Sequence, residues 1–61
     1  MKCSDFLREL YRNGWFAVRQ NGSHIILEHP IIKTQIIFPN HGSRELGKGL
    51  EMGFRKIAGL K

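Results

Sequence analysis

Sixty-one residues, 41% of them hydrophobic, make one domain, residues 1–61, near the lower size at which a single core outweighs chain entropy without staples. The lone Cys3 excludes an intrachain disulfide, and no apolar run approaches the roughly 20 residues of a membrane helix, so a reducing compartment, the cytoplasm, is expected. Ten Lys and Arg against five Asp and Glu, a net charge of +5, favour a polyanionic partner such as nucleic acid, with an acidic protein surface as the plainer alternative.

In chain order, Ser4 suits the N-cap of a helix beginning at Asp5, whose carboxylate complements the positive helix end. Phe6, Leu7, Leu10 and Tyr11 then share a face, and Asn13-Gly14 is a stop signal. The aromatic and β-branched residues from Trp15 to Arg19 favour a strand, and Asn21-Gly22 is a dipeptide suited to the centre of a tight hairpin. A second strand, about Ser23 to Glu28, ends at His29-Pro30 because proline cannot donate to a ladder. Ile31 to Thr34 form a connecting loop, whose Ile31 and Ile32 either meet a partner or fold back on the core. Gln35 to Pro39 make a third strand. Cys3 reads as an inert or semi-exposed thiol. After a polar turn, Asn40 to Leu46, the i, i+4, i+7 spacing of Leu50, Phe54 and Ile57 marks a second amphipathic helix ending at Gly59. Gly47, Gly49 and Gly53 weaken it, each by up to about 1 kcal/mol relative to alanine, so it depends on packing. Helix, three strands, helix predicts an α+β fold, a three-stranded antiparallel sheet with both helices on one face, which is the element order of the double-stranded RNA-binding fold.

Three histidines, His24, His29 and His41, titrate near neutrality and are candidate acid–base groups. His29, beside a proline at a strand end, reads as a polar surface residue. His24 follows the hairpin turn, where neighbouring strands restrain it as catalysis requires. Strand alternation puts His24 with Ile26 and Glu28 on one face and Ile25 with Leu27 on the other. If Ile25 and Leu27 face the helices, His24 faces outward, where it could meet an RNA phosphate. RNA carries its own nucleophile, the 2′-hydroxyl. A base removing that proton would give a cyclic phosphate and a 5′-hydroxyl product with no metal. Ser23 is a turn residue or a phosphate hydrogen-bond donor. The scattered histidines and single cysteine lack metal-ligand spacing, so no metal site and no cofactor are expected.

Most basic residues fall into two groups: Lys2, Arg8, Arg12 and Arg19 early, and Arg44, Lys48, Arg55, Lys56 and Lys61 late. Lys48 near a helix N-terminus suits a phosphate. The alternative is a solvated face on which Glu51 pairs with Lys48 and Arg55.

The stretch "MKCSDFLRELYRNGW", followed by "GSH", "HP", "PNHG", "GKGL" and a closing "IAGLK", resembles the HicA family of toxin ribonucleases along nearly the whole chain. The resemblance implies the double-stranded RNA-binding fold, cleavage of messenger RNA, inhibition by a HicB-type antitoxin, and His24 as the catalytic residue. Lys2, Arg19, Ser23, Arg44, Lys48 and Arg55 are the candidate RNA contacts, and His41 a candidate helper. No membrane is expected as a partner, nor DNA bound by this chain itself. Ile25 departs from the pattern, since many relatives have a second histidine there. The alternative function is a noncatalytic RNA-binding module on the same fold.

Overall fold

The computed structural model describes residues 1–60, which form α1 (Cys3–Arg12), β1 (Phe16–Asn21), β2 (His24–Glu28), β3 (Ile36–Pro39) and α2 (Lys48–Ala58). The strands make one antiparallel sheet in the order β1-β2-β3. Alternation sorts the side chains by face: Ile25 and Leu27 of β2 and Ile36 and Phe38 of β3 are buried with Cys3, Phe6 and Leu10 of α1 and Ala58 of α2. Phe6 stacks on Phe38 at 6.0 Å between ring centroids, and Phe54 of α2 leans on both rings at 6.2 and 5.5 Å. The predicted α+β order is present, and the opposite face of the sheet is left open.

The first helix starts two residues earlier than Ser4 and Asp5 suggest. Lys2 occupies the N-cap position and no side chain caps the helix. Its leading amides are satisfied from elsewhere in the fold: the Cys3 N–H donates to the Arg44 carbonyl and the Ser4 N–H to the Gly42 carbonyl, both at 2.9 Å. A local capping signal was therefore replaced by a long-range one. The same segment is fixed again by the Leu46 N–H donating to the Met1 carbonyl at 2.8 Å and by a bridge between Lys2 and Glu45. The Met1 ammonium pairs with the Glu45 carboxylate, which raises the amine above its ordinary pKa. Leu46, placed in a polar turn by sequence, is buried, as is Cys3, whose thiol is not semi-exposed.

At the other end of α1 the Asn13-Gly14 stop is realised as paired back-bonds, Gly14 N–H to Tyr11 carbonyl at 3.2 Å and Trp15 N–H to Leu10 carbonyl at 3.1 Å. His29 sits over this turn. Its Nε2 bonds the Asn13 carbonyl at 2.9 Å, and its Nδ1 faces the amides of Ile31 and Ile32 at 3.1 and 3.2 Å. Two N–H donors at Nδ1 require a lone pair there, so Nε2 carries the proton. With its ring edge-on to buried Trp15, the half-buried His29 is a pin between helix and strand end, a structural role added to the polar surface position expected. Ile32 packs on the core while Ile31 stays exposed, so the two loop isoleucines divide between the two expectations.

The second helix is rotated from its sequence reading. Leu50 and Ile57 are 53% and 41% exposed, and only Phe54 of the expected stripe reaches the core. The inward direction runs through Glu51, Phe54, Arg55 and Ala58. Arg55 explains the rotation: its guanidinium bonds Glu9 of α1 at 2.9 Å and Glu51 at 3.0 Å and lies 5.1 Å from the centre of the Phe6 ring. A cation that finds two carboxylates and an aromatic face settles between helices, and hydrophobic periodicity does not register that preference.

Candidate active site

The open face is laid out by strand register. Residues directly opposite in an antiparallel pair share a face, so Asn21, His24 and Pro39 form one row, Arg19, Ile26 and Ile37 the next, and Phe16 with Glu28 a third. His24 is the first residue of β2 and its imidazole is exposed. Asn21 pairs with His24, so the two turn residues are Gly22 and Ser23, one position later than the Asn21-Gly22 centre read from sequence. Gly22 takes a φ of +63° and, among the described residues, no non-glycine residue has positive φ, the pattern of a hairpin turn with glycine first. Two bonds brace the turn: the Gln20 side-chain amide donates to the Gly22 carbonyl at 3.0 Å, and the Asn40 N–H to the Ser23 carbonyl at 2.7 Å. His24 therefore projects from backbone held on both sides.

The second brace ties the hairpin to the segment that contains His41. That residue follows Pro39, the β3 partner of His24, by two positions, and its side chain is exposed. The Arg44 N–H returns to the His41 carbonyl at 3.2 Å, and Arg44 in turn lies beside the start of α1 and Lys2. Backbone connections thus gather Ser23, His24, His41, Arg44 and Lys2 at one end of the sheet. Arg19 lies one row along the open face from His24. Lys48 is exposed at the first position of α2, and no ion pair holds it among the described residues. Arg55 is set apart: Glu9, and then Glu51, raise its already high pKa, and its charge ties the two helices together. Of the two readings of the second helix, the Glu51 pairing therefore applies to Arg55. Lys61 lies outside the described residues.

Ile25 is buried on the helix side of the sheet. A histidine at this position would point into the core and away from His24, so position 25 does not contribute a second group to the open face.

Three features were not found by reading the sequence. The register slips between Ala17 and Arg19, leaving Val18 as an extra residue, and such a bulge re-aims its neighbours. Counting back from Arg19 by strict alternation would send Phe16 to the core side; the extra residue turns it outward instead, opposite Glu28 and 46% exposed. A pocket of ≈ 390 Å³ opens at that end, lined in part by Glu28, Lys33, Thr34 and Gln35. Within it the Gln35 amide donates to Glu28 Oε2 at 2.7 Å. Four consecutive apolar residues, Trp15 to Val18, offer no polar and apolar alternation from which the bulge could be read. Among the described residues no three His, Cys, Asp or Glu side chains come together, and no helix is long and apolar enough to cross a membrane.

Comparison with known proteins adds two findings. Residues 3–60 match the family model described as the HicA toxin of bacterial toxin-antitoxin. The whole chain also aligns, at 36% identity and over 98% of the relative's length, with a Pseudomonas fluorescens (strain Pf0-1) protein named "Probable mRNA interferase HicA".

Proposed function

The chain belongs to the HicA toxin family, and from that premise we propose that it is the toxin of a bacterial toxin-antitoxin pair, an endoribonuclease that cuts messenger RNA in the cytoplasm. His24 is the catalytic residue, and an antitoxin of the HicB type covers the site until it is released. The observation that carries this reading is the position of His24: an exposed imidazole at the rigid mouth of a hairpin, on the uncovered face of the sheet, in a chain of net charge +5. A similar cationic surface could serve binding alone, but it would have no use for a histidine braced in this way.

The chemistry follows from the substrate's own nucleophile. His24 takes the proton from a ribose 2′-hydroxyl, the 2′ oxygen bonds to the adjacent phosphorus, and the bond from phosphorus to the 5′ oxygen breaks. The products are a 2′,3′-cyclic phosphate and a 5′-hydroxyl end, and the departing 5′ oxygen takes a proton from an acid. His41, exposed and in the segment bonded to the hairpin, is the group we assign to that role. Charge that builds on the phosphate oxygens is stabilised by Arg19 beside His24, while Ser23, Lys2, Arg44 and Lys48 hold flanking phosphates. No step in this sequence calls for a metal ion.

The test is cleavage of messenger RNA by protein refolded free of any inhibitor, beside a His24→Ala variant. His24 is exposed, so the variant keeps the wild-type circular dichroism and melting temperature while its rate falls at least about 100-fold, the contribution of one positioned acid–base group. A variant as nucleolytic as the wild type would refute the assignment of His24.

A further inference from the structure

His24, Arg19 and the groups that backbone connections gather with them lie in the first two rows of the open face or at the end beside them. The third row is also equipped for a ligand. Phe16 is a large apolar ring turned outward by a bulge, and its cross-strand partner Glu28 lines a pocket that is mostly polar in its side chains. Between this row and His24 lie Arg19, Ile26 and Ile37, the last 58% exposed. Glu28 is four residues along β2 from His24, about 13 Å at the strand rise. A continuous strip therefore runs from the histidine, past a cation and an apolar row, to an aromatic ring beside a polar pocket.

We propose that Phe16, Glu28 and Gln35 form a nucleobase subsite that holds an unpaired base of the RNA at a fixed offset from the bond cut at His24. The proposal rests on His24 being the catalytic group. The occupant is single-stranded RNA because each element answers to a part of it. An exposed aromatic ring on a strand face stacks an unpaired base of any type, a base inside a duplex has no free face to offer, and Arg19 lies where the intervening backbone passes. The pocket then discriminates by hydrogen bonding. The Gln35 amide occupies one carboxylate oxygen of Glu28, leaving the other oxygen and the Gln35 carbonyl as acceptors. Acceptors favour a base that carries an exocyclic amino group, as adenine, cytosine and guanine do, over uracil, whose one edge donor, N3–H, lies between two carbonyl oxygens that the Glu28 carboxylate repels. His29 takes no part, since both its ring nitrogens are committed to the backbone.

The experiment cuts a pool of randomised single-stranded RNA with the full chain and sequences the new ends. Wild type should show uracil depleted at one position, at a constant distance from the cut. Phe16→Ala should lower kcat/KM about 10- to 100-fold, the loss expected of one base stack, and blur that preference, while Phe16→Tyr restores both. Glu28→Gln should admit uracil at that position without moving the cut. Wild-type rate and cutting pattern in both Phe16→Ala and Glu28→Gln, with His24→Ala inactive, would overturn the subsite and leave the catalytic assignment standing. A fully active His24→Ala would overturn the assignment beneath it. Should Phe16→Ala fail to fold, Glu28→Gln decides alone, and an unchanged pattern there defeats the proposal. If Phe16→Ala cuts normally but binds the antitoxin less tightly, the strip is a protein-docking surface and the nucleobase subsite is wrong.

Discussion

At the scale of single residues, the fold rests on a few positions where identity is dictated by a neighbour. Gly14 has a φ of +96°, and a Cβ built there would lie 2.8 Å from Nε2 of His29. Both the backbone conformation and the imidazole above it demand glycine. Gly14→Ala should therefore destabilise the protein by more than 1 kcal/mol, with backbone strain and displacement of the His29 ring adding together; chemical denaturation measures it, and an unchanged midpoint would refute the close contact. The same contact shows why the pinning role of His29 is not legible in the sequence. Its partners are the Asn13 carbonyl, 16 residues away, and two amides just downstream, and neither is visible as a motif. His24 was legible because a turn signal and strand alternation, both local, suffice to place it.

Elements follow the same division between local and distant causes. The number, order and type of helices and strands could be read from turn residues and periodicity, since Asn13-Gly14, the glycine turn at residue 22 and His29-Pro30 all interrupt the chain where the structure does. The rotation of α2 could not, because Arg55 draws its charge partner from α1. Nor could the bulge at Val18, which depends on how β1 meets β2 and decides which face Phe16 occupies. The rotation leaves Gly53 on an open helix face with nothing within 4 Å of an added Cβ. Gly53→Ala should then stabilise the protein by up to about 1 kcal/mol through helix propensity and a less flexible unfolded chain. Thermal melting measures the change; a lowered midpoint would mean that this face of α2 is covered.

For the whole molecule, charge governs how substrate arrives. A net charge of +5 draws in a polyanion and ties its binding to salt. If Lys2, Arg19, Arg44 and Lys48 each neutralise a phosphate, log affinity for single-stranded RNA should fall against log salt with a slope of about −3, at roughly −0.7 per contact. Arg55, already paired with Glu9 and Glu51, adds nothing to that slope, and Arg55→Ala should leave it unchanged while weakening the fold. A salt-titrated binding series on the inactive His24→Ala protein checks both expectations. The central claim, that a histidine sets the RNA's own 2′-hydroxyl against the neighbouring phosphate, is tested most directly by an oligonucleotide with a single 2′-deoxyribose at the mapped cleavage position. Inhibitor-free protein should cut the all-ribose strand to a 2′,3′-cyclic phosphate and a 5′-hydroxyl end and leave the substituted strand whole at that position. Cleavage of the deoxy-substituted bond, or recovery of 3′-hydroxyl ends, would contradict it.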